Sequence, residues 1–261
     1  MSARRRSGVR RFAGRARRKL RALRDPAARR YSAMSLTELA QEFGSDKWGV
    51  HRYTPHYQRH FTHLRTQEML VLELGVGGYA REKEGGASLR MWKWFFPRAQ
   101  VVGLDIEDKS FVDEARITSV QGSQTNGRLL RRICARFGEP TIVIDDGSHR
   151  PAHVIKSFQV LFPLLADGGL YVIEDIQTSY WPQWKGSLDR EDPTTSMAMV
   201  KRLIDGLNFE EYLDAAYEPT YTDLNIRAVH CYHNLVVIEK GDNREGSNKR
   251  QANRKWYAEN T

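Results

Sequence analysis

The chain has 261 residues and a net charge of +9 at pH 7, with 40% hydrophobic and 28% charged residues. That length suits one substantial domain, and the composition excludes disordered, collagen-like and low-complexity chains. The longest apolar stretch, residues 160–173, is interrupted by a proline, an aspartate and two glycines, which excludes the ~20 apolar residues of a membrane-spanning helix. Two cysteines, Cys134 and Cys231, exclude a disulfide framework and a cysteine zinc site, and we expect a reducing, cytoplasmic location.

The positive charge is concentrated at the N-terminus. Residues 1–30 contain thirteen basic residues against one acidic residue, whereas residues 31–261 hold 28 basic and 31 acidic residues. We predict a basic, disordered tail here, with two alternatives left open: an arm that contacts an anionic lipid, polymer or nucleic acid, and an organellar transit peptide. Residues 241–261 are also polar, and we predict a second, frayed tail. The folded domain is therefore expected to span residues 31–240.

The folded domain begins with two helical patterns. Ser35 and Glu38 match a capping box and predict a helix that Gly44 ends. Pro55 suits a first helical turn and predicts a second helix toward Leu64.

Strand and helix patterns then alternate along the chain. Five apolar runs are typical of buried parallel strands, at residues 69–74, 101–105, 117–121, 141–145 and 170–174. Helical patterns occupy residues 88–96, 126–137, 152–165 and 194–213. Two last strand patterns, at residues 224–231 and 235–240, are close enough for an antiparallel hairpin. The sequence predicts an α/β fold, a Rossmann-like, doubly wound, mostly parallel sheet with a C-terminal antiparallel hairpin.

In a doubly wound sheet the ligand binds at the carboxyl ends of the strands. The first strand leads into Gly75 and Gly77, where backbone amides can approach a ligand, although these glycines also fit a dinucleotide fingerprint. The second strand ends in Asp105, where a ribose diol would lie unless this aspartate serves a turn or a helix cap. The third ends in Gly122 and Ser123, which suit an adenine edge or a plain turn. Together these strand ends predict a nucleoside site.

The fourth and fifth strands end in acidic residues. Like-charged clusters that face one another at a sheet edge repel unless a cation lies between them. Asp146, Glu174 and Asp175 can supply three hard oxygen ligands to Mg²⁺, and the absence of soft ligands disfavours zinc. The alternative is that Asp145 or Asp146 caps the following helix while Glu174 pairs with a surface arginine.

His149 follows Asp146 by three residues and precedes a predicted helix. A neutral imidazole beside the metal can take a proton from a hydroxyl that the metal has acidified, so we predict that His149 is the general base. A packed or surface histidine is the alternative.

Residues 43–237 resemble the metal-dependent sugar O-methyltransferases of the macrolide (mycinamicin and tylosin) type, within the class I S-adenosylmethionine-dependent superfamily. The matching blocks are Gly44-Ser-Asp-Lys-Trp-Gly, Tyr53-Thr-Pro-His-Tyr57, Val71-Leu-Glu-Leu-Gly-Val-Gly-Gly, Gly85-Gly-Ala-Ser-Leu-Arg-Met-Trp92, Gly103-Leu-Asp-Ile-Glu-Asp-Lys109, Ile144-Asp-Asp-Gly-Ser-His149 and Tyr171-Val-Ile-Glu-Asp-Ile-Gln-Thr-Ser-Tyr-Trp181. The last two blocks are the most specific. The family has a further N-terminal domain, whereas here we expect only the basic tail before the matching part.

The resemblance implies methyl transfer from S-adenosylmethionine to a sugar hydroxyl, with Mg²⁺ bound by Asp146, Glu174 and Asp175 and with His149 as the base. It implies a methyl-donor pocket formed by Glu73, Gly75, Gly77, Ser88, Asp105, Gly122, Ser123 and Asp146. The acceptor is expected to be a sugar unit of a glycoside, glycolipid or oligosaccharide. A homo-oligomer is also expected.

Aromatic faces stack on sugar C–H surfaces, and five aromatic residues near the proposed centre are candidate acceptor contacts or ordinary packing residues. They are Tyr53, His56, Tyr57, Tyr180 and Trp181.

Parts of the sequence also fit three rival functions. Tyr79 and Lys83 have the spacing of a short-chain, NAD-dependent dehydrogenase pair, but they fall in the first loop rather than on a later helix. An adenine N-methyltransferase is disfavoured because no Asn/Asp-Pro-Pro-aromatic motif follows the fourth strand, which leaves a tail-guided RNA 2′-O-methyltransferase open. A catechol-type O-methyltransferase would use the same metal chemistry on a more acidic hydroxyl.

Overall fold

The computed structural model describes residues 26–80, 83–247 and 250–260. Seven strands form one sheet in the order β3-β2-β1-β4-β5-β7-β6. Their bounds are Leu70–Leu74 (β1), Gln100–Asp105 (β2), Ile117–Gln121 (β3), Pro140–Asp145 (β4), Leu170–Glu174 (β5), Ile226–Tyr232 (β6) and Leu235–Lys240 (β7). Strands β1 to β5 pair in parallel, and β7 runs antiparallel to both β5 and β6. The predicted fold, a doubly wound sheet with a C-terminal hairpin, is confirmed.

The helices of the described residues are Pro26–Ser32 (α1), Leu36–Phe43 (α2), Thr54–Phe61 (α3), Ala87–Phe95 (α4), Gly127–Phe137 (α5), Pro151–Leu161 (α6), Ser196–Gly206 (α7), Tyr221–Asn225 (α8) and Arg250–Asn260 (α9). Short 3₁₀ turns occupy Thr62–Leu64, Ser110–Val112, Ile176–Tyr180, Pro182–Trp184 and Phe209–Glu211. None of the described helices is both long and apolar enough to cross a bilayer.

The helix ends follow from local chemistry. Ser35 and Glu38 form the predicted capping box at the start of α2, and Gly44 ends that helix in the left-handed region at φ 70°. Helix α6 ends four residues before its predicted end, because Pro163 lacks the N–H that would continue the helix. Helix α7 is also shorter than predicted. It stops at Gly206, a poor helix former that lies so close to Asp223 that a Cβ would be 2.2 Å from its carboxylate.

The sheet is covered on both faces, which explains why its parallel strands are continuous apolar runs. One hydrophobic layer packs α2, α3 and α4 against alternate residues of the strands, among them Val71, Ile142 and Val172. The opposite layer packs α5, α6 and α7 against the other residues, among them Leu72 and Ile173. Buried carboxylates lie at or near the carboxyl ends of β1, β2 and β5, namely Glu73, Asp105 and Glu174.

The predicted tails are only partly within the described residues. Residues 1–25 lie outside them. The boundary predicted after residue 30 falls inside α1, whose Tyr31 packs against Phe43 and Trp94, so the folded region includes residues from Pro26 onward. The segment 241–261, predicted as frayed, contains the polar helix α9. Helix α9 consists mainly of charged and polar residues and has no apolar stripe, so the sequence pattern did not indicate a helix.

Candidate active site

The acidic residues predicted from strands β4 and β5 meet at one edge of the sheet. The register pairs Asp145 with Ile173, so the chain leaves both strands at the same level. Asp146, Glu174 and Asp175 follow at once. Two groups of side chains form there and share Asp146: Glu73 and Glu174 on the buried side, and His149 and Asp175 on the more open side.

The buried group surrounds an ammonium ion from the chain itself. Lys47 is fully buried, and its Nζ donates to Asp146 Oδ2 at 2.7 Å and to Glu174 Oε1 at 2.6 Å. Nζ also lies 3.3 Å from Glu73 Oε1, an oxygen without a hydrogen-bond partner. Burial acts to lower the pKa of Lys47, but the carboxylates of Asp146, Glu174 and Glu73 outweigh it and raise this pKa well above its ordinary value. The ammonium therefore stays charged.

The open group places a histidine between two carboxylates. His149 Nε2 lies 3.9 Å from Asp146 Oδ1 and 3.9 Å from Asp175 Oδ2. Its other ring nitrogen, Nδ1, is buried and has no hydrogen-bond partner. The imidazole also lies against Trp184, with ring centroids 5.7 Å apart. Its Nε2 therefore faces the acidic centre, while Trp184 covers part of the ring.

Two residues of this group hold an unfavourable backbone conformation. His149 and Asp175 both lie in the left-handed region, at φ 54° and 51°. Such strain persists only where the surroundings enforce it. Here the Thr178 hydroxyl lies 2.7 Å from the His149 carbonyl oxygen and 2.9 Å from that of Asp175, so one buried side chain ties both together. This tie fixes the direction in which the imidazole and the carboxylate point.

The residues around Asp175 favour its ionised form. The Tyr53 hydroxyl donates to its Oδ1 at 2.6 Å, and His51 Nδ1 lies 3.7 Å from the same oxygen. Burial acts to raise the pKa of Asp175, but the Tyr53 hydrogen bond and the nearby His149 and His51 outweigh it and lower this pKa below its usual value.

The three predicted metal ligands do not form one compact set. Asp146 and Asp175 flank His149, whereas Glu174 accepts hydrogen bonds at Oε1 from Lys47 and Tyr57. Oε2 of Glu174 accepts no hydrogen bond from the described residues, so this is the Glu174 oxygen that can bind a metal. The carboxylate oxygens of Asp146, Glu174 and Asp175 are hard ligands of the kind that Mg²⁺ prefers, so the residues present fit Mg²⁺. The ligand assignment itself remains a prediction.

The glycine loop after β1 lies against this centre. Gly75 has φ 92°, and a Cβ there would be 2.1 Å from the Asp146 carbonyl oxygen, so only glycine fits. Gly77 has φ 70°, but a Cβ there would meet no atom within 4 Å. The loop is therefore closed toward Asp146 and open at Gly77, where a ligand can approach the backbone.

Asp105 is buried at the end of β2, as predicted, but its hydrogen bonds come from the protein. Oδ2 accepts from the Val76 amide and the Tyr79 hydroxyl, each at 2.8 Å, and Oδ1 accepts from the Glu107 amide at 2.9 Å. The contacts at both carboxylate oxygens of Asp105 are thus made by the described residues of the chain itself. A cleft of about 530 Å³ lies beside this loop, between Gly78 and Phe111.

The remaining residues predicted for the methyl-donor pocket lie around these loops. Ser88, at the start of α4, donates to Glu73 Oε2 at 2.8 Å. Gly122 donates its amide to the Asp105 carbonyl at 2.7 Å, which joins the ends of β2 and β3. The Ser123 hydroxyl lies 2.8 Å from the Thr125 hydroxyl and accepts the Thr125 amide, as in a plain turn.

Asp145 has a structural role beside the acidic centre. It is buried and accepts hydrogen bonds from Ser157, Tyr171 and Gln124. Burial raises the pKa of Asp145 to about 6, against the effect of these donors. Gln124 also accepts the Ser148 amide at 2.7 Å, so Asp145 and Gln124 support the loop that carries Asp146 and His149.

Of the five predicted acceptor contacts, two are buried, one stacks on another ring and two are exposed. Tyr57 is a correction: its ring is fully buried between Phe61 and Trp92, and its hydroxyl donates to Glu174, so no sugar can stack on it. Tyr53 is also buried and holds Asp175. His56 stacks on Tyr232, with ring centroids 3.8 Å apart.

Tyr180 and Trp181 are exposed in the segment that follows Asp175. They remain candidate acceptor contacts. Trp184, which lies beside His149, was not predicted; the sequence placed it in the same aromatic segment, but only the fold shows which ring faces the base.

The fold and the site together define the class I methyltransferase fold. The chain has a seven-stranded, doubly wound sheet with an antiparallel hairpin, a glycine loop after β1, a carboxylate at the end of β2 and an acidic centre after β4 and β5. No family model matches the chain. Over 214 residues it is 51% identical to the mycinamicin VI 2''-O-methyltransferase of Micromonospora griseorubida and 50% identical to the demethylmacrocin O-methyltransferase of Streptomyces fradiae. Within this matched region the chain is a homologue of the macrolide sugar O-methyltransferases.

The matches cover 81% of this chain and 54% of each of these two relatives, so the chain spans about half the length of the curated relatives it matches. A solved structure of the MycE methyltransferase from the mycinamycin biosynthetic pathway, in complex with Mg and SAH, aligns with a TM-score of 0.79 at 50% identity. That alignment covers 82% of this chain and 55% of the other.

Proposed function

We propose that this protein is a Mg²⁺-dependent O-methyltransferase that transfers a methyl group from S-adenosylmethionine to a hydroxyl of a sugar unit. The observation that carries this proposal is the placement of His149 between Asp146 and Asp175 at the ends of β4 and β5. The homology supports it, since the relatives named above are O-methyltransferases and the MycE structure holds Mg and SAH.

The residues of the site suit a proton transfer coupled to methyl transfer. A bound divalent ion would supply positive charge that lowers the pKa of the acceptor hydroxyl. His149 accepts the hydroxyl proton at Nε2, while the oxygen attacks the sulfonium methyl carbon and the carbon–sulfur bond breaks. Asp146 and Asp175, each 3.9 Å from Nε2, stabilise the imidazolium that results. Thr178 holds the strained backbone, so the base need not reorient during the reaction.

The acceptor we propose is a sugar attached to an apolar aglycone. Relatives from Streptomyces act, by their names, on the rhamnosyl group of tetracenomycin C, and the chain is 47% identical to one of them over 209 residues. In this chain the exposed rings Tyr180, Trp181 and Trp184 lie along the segment after Asp175. Aromatic faces of this kind suit the C–H surface of a sugar and an apolar ring system.

Metal removal tests the proposed chemistry. After exhaustive dialysis against EDTA, we expect methyl transfer to a glycosylated macrolide or tetracenomycin acceptor to fall by at least about 100-fold, and Mg²⁺ to restore it. S-adenosylmethionine binding, measured by calorimetry, should largely survive EDTA, because Gly77, Asp105 and Ser123 of the proposed methyl-donor pocket are not among the possible metal ligands. Full activity in EDTA would remove the metal from the mechanism. Preferred methylation of a catechol or of RNA would contradict the sugar acceptor.

The dehydrogenase alternative finds no support in the geometry. The Tyr79 hydroxyl donates to Asp105, and the cation over its ring is Lys109, 4.6 Å from the centroid. Binding of NAD(H) without S-adenosylmethionine would nevertheless overturn the main proposal.

We also propose that the N-terminal basic segment contacts an anionic surface or polymer and is dispensable for folding. Because α1 belongs to the fold, the truncation must end at residue 25, which removes eleven basic residues. We expect the melting temperature to change by less than about 2 °C and turnover on a small acceptor to persist. Sedimentation with anionic vesicles should weaken, since each basic residue near such a surface contributes about 1 kcal/mol. Loss of cooperative melting would show that this segment belongs to the fold.

Two further proposals concern the setting of the enzyme. We propose a cytoplasmic, reducing location, which the unpaired Cys134 and Cys231 support. We also propose a homo-oligomer, which light scattering can test directly.

A further inference from the structure

The acidic centre contains two sets of possible cation ligands that share one residue. Glu73, Asp146 and Glu174 form the inner set, and Asp146, His149 and Asp175 form the outer set. Two adjacent sets with a shared carboxylate have the layout of a centre for two cations. In this chain the inner set already surrounds the Lys47 ammonium, at distances of 2.7 and 2.6 Å from Asp146 and Glu174 and 3.3 Å from Glu73.

Burial makes this ammonium a fixed part of the site. The side chains of Lys47 and Glu73 are fully enclosed, and that of Glu174 is 2% exposed. Two buried carboxylates beside the partly exposed Asp146 would be strongly unfavourable without a cation, because the buried ones lose their hydration and all three repel one another. The Lys47 charge offsets both effects.

The same contact orients the shared carboxylate. Asp146 directs Oδ2 to Lys47, while its other oxygen, Oδ1, faces His149. Glu174 is fixed in a similar way, because Lys47 and Tyr57 both donate to Oε1. Each carboxylate therefore has one oxygen held by the protein and one oriented away from that contact.

The backbone of Lys47 anchors the segment that completes the site. Its carbonyl oxygen accepts the Tyr53 amide at 3.1 Å and the Thr54 amide at 3.4 Å, at the start of α3. Helix α3 and the residue before it carry Tyr57 and Tyr53, which bind Glu174 and Asp175. The side chain of Lys47 thus contacts the acidic centre, and its backbone contacts the residues that hold this centre in place.

We propose that Lys47 is a positioning residue that acts as the built-in second cation of the acidic centre: it fills the inner carboxylate set, orients Asp146 and Glu174, and limits the centre to one divalent ion. This inference rests on the proposed function, because it takes as given one divalent ion held by Asp146, Asp175 and the second oxygen of Glu174, with His149 left as the base.

The test counts bound Mn²⁺ by electron paramagnetic resonance and measures melting temperatures with and without Mn²⁺, so its readouts do not depend on activity. We expect one Mn²⁺ per wild-type chain. Lys47→Met keeps the length of the side chain but removes its charge, and we expect that variant to bind two ions. Metal-free Lys47→Met should melt below the metal-free wild type, and Mn²⁺ should raise its melting temperature about twice as much, since two sites then stabilise the folded state.

Lys93→Met is the matched control. Lys93 is also buried and pairs with a carboxylate, Glu114, at 2.9 Å, but it lies in α4 away from the acidic centre. Its replacement should leave the Mn²⁺ count at one, which separates the loss of any buried ion pair from the loss of this cation.

One Mn²⁺ with wild-type affinity in Lys47→Met would overturn the inference. If that variant folds only with Mn²⁺ present, it can be purified with the ion and counted in the same way. Two Mn²⁺ in the wild-type chain would also overturn the inference, whatever the variant does. Failure of the proposed function gives a different result, because the wild-type protein would then bind no Mn²⁺ at this centre.

Discussion

Replacement of His149 by alanine or glutamine is expected to lower kcat by about 10² to 10⁴, the usual contribution of a general base, with a much smaller change in KM. The reason is geometric: Nε2 is the base that faces the acidic centre from between Asp146 and Asp175. Single-turnover measurements with saturating acceptor check the chemical step directly. The melting temperature should stay close to that of the wild type, because no described side chain donates to or accepts from Nδ1.

A control for this variant is His63→Gln, which replaces an exposed histidine in the 3₁₀ turn after α3. Turnover of that control should match the wild type. If His149→Gln also keeps wild-type turnover, the imidazole is a packing residue beside Trp184, and the proton must leave by another route.

Replacement of Gly75 by alanine is expected to lower the free energy of unfolding by more than about 3 kcal/mol. The added Cβ would lie 2.1 Å from the Asp146 carbonyl oxygen, and alanine at φ 92° is strained in any surroundings. The overlap involves backbone on both sides, so it cannot be relieved by a rotamer change. The resulting shift of Asp146 should also weaken divalent-ion binding. Chemical denaturation and calorimetry measure the two effects.

Gly77→Ala is the matched comparison, because this glycine also has a positive φ but a Cβ there meets no atom within 4 Å. We expect it to cost only about 1–2 kcal/mol of stability, the ordinary penalty for a left-handed residue. Its main effect should instead be weaker S-adenosylmethionine binding, since the methyl group enters the open side of the loop. Equal destabilisation by both substitutions would contradict the close approach of Gly75 to Asp146.

The sequence was most informative where local pattern decides structure. The apolar runs predicted the five parallel strands to within one residue at each end, and the rule that ligands bind at strand ends then pointed to Asp146, Glu174 and His149. The acidic residues could be identified without side-chain geometry, because adjacent parallel strands have their carboxyl ends at the same edge of the sheet.

The sequence was least informative where a side chain acts far from its own element. Lys47 belongs to a loop between two short helices, and nothing in its neighbours distinguishes a buried lysine from an exposed one. Tyr57 was left open between an acceptor contact and a packing residue, because helix periodicity alone does not say whether an aromatic ring on α3 points to the core or to a pocket. Thr178 matters only because two strained residues meet at its hydroxyl, and backbone strain has no signature in composition.

The contacts of Lys47 and Tyr57 also determine when the site can exist. Lys47 is 99 residues from Asp146 and 127 from Glu174 along the chain, and Tyr57 is 117 residues from Glu174. Contacts with such long loops are among the last that a folding chain gains, because the entropy of closure must be overcome first. A nascent chain that has not yet produced β5 lacks Glu174 and Asp175 and cannot assemble the centre. Metal affinity should therefore arise only after β5 has joined the sheet, so ion uptake reports that step of folding.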